Sequence, residues 1–289
     1  MFSPEEQLAC QRLIELALAE DLGDRGDVTS QAVIPQDLRG RAVFLAKDVG
    51  VLAGLPAAEL VMKTVDSGIR FETLKQDGES VSPRDRLARV SGPMRSILAA
   101  ERTALNFLQH LSGIAKLTRC YVDQVADTIA EILDTRKTLP GWRLLEKYAV
   151  RQGGGHNHRM GLSDAILIKD NHLAALHAKP NPLAAAILAA REKQPALPVE
   201  VEIDSLTQLA PALACRPAIV LLDNMTVEQL REAVRARNER APTVLLEASG
   251  GVNLQTVRSI ADTGVDRISI GALTHSAATL DISLEYESH

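Results

Sequence analysis

The feature that most limits how this chain can fold recurs through its second half: a short apolar run ends in polar residues, usually with an amphipathic stretch after it. Ala130–Leu133 runs into Asp-Thr-Arg-Lys, Ala165–Ile168 into Lys-Asp-Asn-His, and Val199–Ile203 into Asp-Ser. Ala218–Leu222 runs into Asp-Asn, Thr243–Leu246 into Glu-Ala-Ser-Gly-Gly, and Arg267–Ile270 into Gly-Ala. Helical patterns at Leu183–Glu192, Val227–Asn238 and Val252–Asp262 lie between these runs. Parallel strands need long crossovers, so six such β/α units predict a parallel sheet, and closing it into a barrel is the economical solution. The polar residues gather at the strands' carboxyl ends, where barrels carry out their chemistry.

The first part of the chain has another character. A helix is expected over Glu5–Glu20, alternating strands over Arg41–Lys47 and Ile69–Leu74, and a helix opening at proline over Pro56–Val65. Glu20–Ser30 reads as a turn-rich loop, and Ser96–Val125 as a long helix with Gly113 as a kink or domain hinge. Ile282–Tyr286 looks like a strand returning to the N-terminal domain. The expected division is 1–112, joined by 276–289, as one domain and 113–275 as the barrel.

At 289 residues the chain can bury a full core. Its longest wholly apolar run, Leu183–Ala190, is far too short to span a bilayer, and no membrane association is expected. The acidic start, Met-Phe-Ser-Pro-Glu-Glu, lacks the basic and apolar regions of a signal peptide. Three scattered cysteines (10, 120 and 215) suit neither a disulfide framework nor a zinc site, so a reduced, cytoplasmic protein is expected. Aromatic residues are only 3% of the chain, which removes the stacking platforms that single-stranded nucleic acid needs.

Charge is unevenly placed. Between 134 and 172 stand seven Lys/Arg (136, 137, 143, 147, 151, 159, 169) against four acids (134, 146, 164, 170), an island of +3 in a chain of −5. A small basic island broken by the Gly153-Gly-Gly triplet suggests a pocket for a small polyanion rather than a nucleic-acid face. The alternation of Val199-Glu-Val-Glu-Ile-Asp204 puts Glu200, Glu202 and Asp204 on one face, pointing into the barrel. Buried carboxylates need cations, and Lys169 with Arg136 and Lys137 are the natural partners; a purely structural ion-pair network fits the same spacing. Asp223 is a strand-end acid or a helix cap. Ser249-Gly250-Gly251 and Gly271-Ala272 follow the last two strands, where barrels commonly bind phosphate, although tight turns would look alike. His156 and His158 lack the further Cys or His of a metal set, and His158 with Arg159 reads better as an anion-binding pair. Arg102, beside Glu101 in a helix, reads on its own as a solvated charge.

Taken together, Glu101-Arg-Thr-Ala-Leu-Asn106, Asp134-Thr-Arg-Lys-Thr138, Gly153-Gly-Gly-His-Asn-His-Arg159, Lys169-Asp-Asn-His172, Val199-Glu-Val-Glu202 and Ser249-Gly-Gly251 resemble the quinolinate phosphoribosyltransferases. The resemblance runs in order from Glu20-Asp-Leu-Gly to the C-terminal strand. It implies an α/β fold: an incomplete parallel α/β barrel preceded by an open-faced α/β sandwich domain. It also implies a homodimer with shared active sites, sometimes assembled to a hexamer, and a reaction of quinolinate with phosphoribosyl pyrophosphate that yields nicotinate mononucleotide, pyrophosphate and CO2 with Mg2+. Carried over by position, Arg136, His158 and Arg159 would bind the acid substrate's carboxylates, with Lys137 beside them; Lys169 would contact both the acid and phosphoribosyl pyrophosphate, and Thr135 would be a further substrate-binding residue. Glu202 and Asp223 would serve the ribose and the metal. Ser249, Gly250, Gly251, Ile270, Gly271 and Ala272 would hold the 5′-phosphate, and Arg102 would reach a neighbouring subunit's site, which replaces the solvated reading. Three other readings stay open on the residues alone. They are a Schiff-base aldolase using Lys169, a non-catalytic binder of phosphorylated metabolites, and a related phosphoribosyltransferase acting on nicotinate.

Overall fold

The structure, a computed structural model, describes residues 1–176 and 179–287. The chain divides into two compact units. The first comprises Met1–Arg119, Lys137–Gly154 and Leu273–His289; the second comprises Cys120–Arg136 and Gly155–Ala272.

In chain order the first stretch holds α1 (Pro4–Leu22), α2 (Val28–Val33), β1 (Arg39–Ala46), β2 (Gly50–Val51) and α3 (Leu55–Val65). It continues with β3 (Arg70–Thr73), β4 (Ser80–Val81), β5 (Arg86–Pro93) and α4 (Met94–Val125). Then come β6 (Glu131–Leu133), α5 (Arg143–Gln152), β7 (Ile166–Ile168), α6 (Asp170–Ala175), α7 (Pro182–Lys193) and β8 (Val199–Ile203). The chain closes with α8 (Leu206–Ala214), β9 (Ile219–Asp223), α9 (Val227–Arg240), β10 (Leu245–Ser249), α10 (Val257–Ala261), β11 (Arg267–Ser269), α11 (Ala272–His275) and β12 (Ile282–Tyr286).

In unit 1 an antiparallel sheet of order β12-β1-β5-β3 carries the expected returning strand, with Ala42 opposite Tyr286 and Ala46 opposite Ile282. Helix α1 starts at a full capping box: Glu6 N–H donates to Ser3 Oγ, and Ser3 N–H donates to the Glu6 carboxylate. Two expectations fail here. Residues 28–33 form a short helix rather than loop, because Asp27 Oδ1 accepts from Ser30 N–H at 3.0 Å and caps it. Gly113 does not end α4, which continues through it from Met94 to Val125. Its glycine serves close approach instead: a Cβ there would stand 2.1 Å from the Ala278 carbonyl oxygen.

Unit 2 is built on one parallel sheet of order β6-β11-β10-β9-β8-β7. This order follows the chain around a ring with only the β6–β7 pairing missing, which is the topology of a singly wound barrel left open at one seam. Residues near His156 run beside β6 at the seam, with Leu133 and His156 in a parallel bridge. Five of the six expected strands appear within one residue at each end; the exception is β10, which begins two residues later and ends three residues later than expected, at Leu245–Ser249. Alternating apolar side chains fill the sheet; Val201, Val220, Leu222, Leu246 and Ile268 are fully buried. Among the described residues no helix is long and apolar enough to cross a membrane.

Candidate active site

The carboxyl ends of the unit 2 strands bring together most of the residues singled out in the sequence. Asp134 ends β6 and is fully buried. Its Oδ1 accepts from His158 N–H at 2.9 Å and its Oδ2 from Asn157 Nδ2 at 2.6 Å, so it pins the segment after the glycine triplet beside β6. A carboxylate with backbone and side-chain donors replaces the sheet bonds that the seam lacks.

His158 Nε2 faces two acids, Glu200 Oε2 on β8 at 3.2 Å and Glu247 Oε1 on β10 at 3.3 Å. Burial opposes charge on this ring, but the contacts with the Glu200 and then the Glu247 carboxylates outweigh it and push its pKa up to about 9. The ring's Nδ1 lies 2.7 Å from Arg159 N, a contact that belongs to the neutral form. One such neutral hydrogen bond contributes about 0.5–1.5 kcal/mol net, less than the several kcal/mol per ion that unpaired buried carboxylates cost. The imidazolium is therefore the resting form. Burial, with Glu247 beside it, holds the Glu200 carboxyl above the ordinary carboxylate range, although His158 pulls the other way.

Arg159 is half-buried, and burial with neighbouring Arg136 holds its guanidinium below the ordinary range. One of its N–H groups donates to the Ala165 carbonyl at 3.2 Å. The two arginines and His158 thus make a cationic cluster over a floor of acids. Lys169, directly after β7, donates through Nζ to Glu202 on β8. Glu202 is mostly buried and Lys169 nearly half exposed, so the pair stands at the rim.

Asp223 ends β9 and accepts from the Asn224 side chain at 2.8 Å. It does not cap α9, whose cap is Thr226. Asn224 N–H donates to the Ser249 carbonyl at 2.8 Å, which ties the loop after β9 to the loop after β10. Gly250 (φ +93°) and Gly251 (φ +63°) lie in that second loop in backbone conformations that favour glycine. Ile270 N–H donates to the Leu133 carbonyl at 2.9 Å and sets Gly271 and Ala272 at the start of α11.

Some expected residues lie elsewhere. Arg102 (exposed, on α4) and Lys137 belong to unit 1, where the Lys137 carbonyl accepts from Thr274 Oγ1 at 2.7 Å. The cationic island is not one pocket: Arg143 donates to Thr138 at 3.0 Å, Arg151 pairs with Glu6, and Lys147 is fully buried in α5. His156 and His158 do not converge. His156 is exposed and pairs with β6 through its backbone, while the donor atoms of His158, Glu200 and Glu247 lie within 4.8 Å of one another. Glu247 was hidden in the sequence because the expected β10 stopped at Leu246 and left it in a loop. The signal was available in the inward alternation Glu247, Ser249.

Comparison with known proteins identifies the family. The family models for the N-terminal and C-terminal domains of quinolinate phosphoribosyl transferase cover residues 27–112 and 114–285. The carboxylating nicotinate-nucleotide pyrophosphorylase of Mycobacterium leprae (strain TN) is 47% identical over 287 residues, which covers 99% of this chain and 100% of that protein. The chloroplastic protein of that name from Arabidopsis thaliana is 43% identical, over 96% of this chain and 82% of its own. Among solved structures, the Francisella tularensis nicotinate-nucleotide pyrophosphorylase superposes with a TM-score of 0.90 at 39% identity, over 97% of each chain. Human nicotinic acid phosphoribosyltransferase, at 13% identity and a TM-score of 0.63, shares the fold alone. With both domain models matched in order and full-length relatives well above chance identity, this chain belongs to the quinolinate phosphoribosyltransferase family.

Proposed function

We propose that this chain transfers the phosphoribosyl group of phosphoribosyl pyrophosphate to quinolinate, with decarboxylation, as a carboxylating nicotinate-nucleotide pyrophosphorylase of NAD biosynthesis. The observation that carries the reading is the division of charge at the strand ends. Arg136, His158 and Arg159 cluster over buried acids, and the Lys169–Glu202 pair and the glycine loop at 249–251 stand on the same end of the same sheet.

Arg159 and Arg136 repel each other, so a ligand with two carboxylates relieves that repulsion where a monocarboxylate does so incompletely. His158 adds a third cation. Quinolinate is thereby oriented with its ring nitrogen toward the ribose. Lys169 holds the acid and the sugar phosphate together, and the loops of Ser249, Gly250 and Gly251 and of Gly271 and Ala272 receive the 5′-phosphate, with Ile270, whose own N–H is given to Leu133, holding the second loop in place. As pyrophosphate leaves, positive charge develops on the ribose, and Glu202 and Asp223 stabilise it electrostatically. Once the ring nitrogen is ribosylated, the pyridinium withdraws electrons from the adjacent carboxylate; the C–C bond breaks heterolytically, CO2 leaves, and the electron pair left on the ring carbon takes up a proton from water. No nucleophilic side chain is required.

Glu202 and Asp223 are half-buried carboxylates, the hard oxygen donors that Mg2+ takes, so the residues present fit that ion. These two carboxylates would hold Mg2+ together with the substrate phosphates, and the ion would supply neutralisation of charge on the pyrophosphate. We assign Arg102 to a neighbouring subunit's site in a homodimer, supported by its exposure and by the lack of any ion pair to it among the described residues. We further read residues 1–112 with the C-terminal strand as the sandwich domain, 113–275 as the barrel domain, and the enzyme as cytoplasmic.

The test is incubation of the purified chain with quinolinate, phosphoribosyl pyrophosphate and Mg2+, following CO2 and nicotinate mononucleotide. Product from nicotinate but none from quinolinate would overturn the assignment.

A further inference from the structure

Two acids of the barrel interior have no part in the reaction as derived. Glu247 is fully buried and Glu200 nearly so. Glu200 lies two residues before Glu202 on the same strand and face, so it stands about 6–7 Å deeper than the rim. Among the described residues, neither oxygen of Glu247 nor Oε1 of Glu200 has a hydrogen-bond partner of good geometry. Burying two carboxylates this way costs several kcal/mol unless something opposite holds them. The group that meets both is His158 Nε2. His158 is in turn held to Asp134 through its backbone N–H, and Arg159 follows it directly in the chain.

We propose that Glu200 and Glu247 are positioning residues of the acid-substrate pocket. From beneath, they clamp the His158 ring, whose backbone Asp134 also holds, and so fix the place from which the next residue, Arg159, starts, so that the cations above meet two carboxylates at fixed spacing. This rests on the reading of the pocket as a dicarboxylate site. A clamp from two strands that are not neighbours, β8 and β10, also fixes the ring against tilt, which a single hydrogen bond would not do.

The same three side chains have the spacing of a metal-ligand set. Two observations argue against that use. Whether neutral with Nδ1 accepting from Arg159 or charged, the ring carries a hydrogen on Nε2, so the atom facing the acids is a donor and not a lone pair. The Arg159 guanidinium is also near enough to Glu200 to be attracted to it, and a divalent cation would be repelled there.

Calorimetric titration of quinolinate and of phosphoribosyl pyrophosphate into the full-length protein and its Glu247→Gln variant decides the matter. The expected result is quinolinate binding weakened about tenfold or more, phosphoribosyl pyrophosphate binding changed less than about twofold, and a melting temperature within about 2 °C of wild type. Glu200→Gln should shift the same constant. Unchanged affinities would overturn the proposal. So would equal weakening of both ligands with a lowered melting temperature, which would make the pair merely structural. Stoichiometric zinc or manganese in the wild type, lost in Glu247→Gln, would overturn it in favour of a metal site. Binding is read without turnover: a protein that binds quinolinate yet makes no nicotinate mononucleotide refutes the proposed reaction, while the variant comparison still decides this one.

Discussion

Gly250 and Gly251 separate two physical costs that are usually confounded, and replacing each by alanine predicts unequal outcomes. Both have positive φ, +93° and +63°, where an L-residue costs about 1–2 kcal/mol. A Cβ on Gly251 meets nothing within 4 Å, so Gly251→Ala bears only the backbone cost. A Cβ on Gly250 would stand 2.2 Å from Asn224 Oδ1 and 3.0 Å from the Asn224 backbone nitrogen. The side chain cannot simply swing aside, because its Nδ2 is bonded to Asp223 and its backbone N–H to the Ser249 carbonyl. Forcing that overlap adds about 1–3 kcal/mol, as overpacking does elsewhere. Gly250→Ala should therefore lose about 3 kcal/mol against about 1 for its neighbour, or roughly 6–12 °C against 2–4 °C in melting midpoint. Parallel thermal scans of the two variants give the stability comparison. Because Asn224 carries Asp223 with it, Gly250→Ala should also raise the KM for phosphoribosyl pyrophosphate about tenfold. A Gly251→Ala variant as destabilised as Gly250→Ala would refute the reasoning, since it would leave the overlap with Asn224 without effect.

Further expectations concern charge and assembly. Arg102→Ala should nearly abolish activity with the melting temperature unchanged. Mixed with Lys169→Ala it should recover about a quarter of wild-type sites, because random dimers place one whole site in half the molecules; full activity of Arg102→Ala alone would sink the shared site. His158 has its pKa raised from 6.5 to about 9, so its contribution to stability is complete below pH 6.5 and is lost as pH rises through about 9. The melting-temperature gap between wild type and His158→Asn should accordingly narrow from pH 6 to pH 10, and a widening gap would contradict the ion-pair reading. Quinolinate alone should stabilise the protein, by about 2.7 kcal/mol at a hundred times its Kd, with nicotinate giving less at equal concentration because it carries one carboxylate.

The fold was legible where one physical signal dominated. The six strands of unit 2 are apolar runs closed by polar residues, and burial on both faces leaves few other structures for them. Legibility failed where tertiary contact decided the matter. Gly113 is a helix breaker by propensity, and the neighbour that makes it useful, the Ala278 carbonyl, lies 165 residues away in sequence. Strand β5 contains glycine and ends in proline, which masked a segment paired on both sides, with β1 and with β3. Helix α5 buries Glu146 and Lys147; charged residues in a core position carry no apolar period to read.

The candidate site shows the same limit in finer form. Alternation places Glu200 and Glu202 on one face, and so predicts that both point inward and need cations. It cannot say that they need different cations, because depth in a barrel is set by strand stagger and by what crosses the seam. Glu202, at the rim, meets the flexible ammonium of Lys169, which can exchange carboxylate for substrate phosphate as ligands arrive. Glu200 meets a ring that Asp134 holds by its backbone and that cannot follow a ligand outward. Two identical side chains two residues apart thereby have partners of different kind, one at the rim and one buried. The rim acid is free to work with a changing charge, and the deeper one is suited to keeping the acid pocket's shape constant while the sugar phosphate comes and goes. A protein that needed only to neutralise its substrates could have put lysine at both levels. The buried acids make sense if the spacing of the cations above them, and not only their number, is what selects a dicarboxylate.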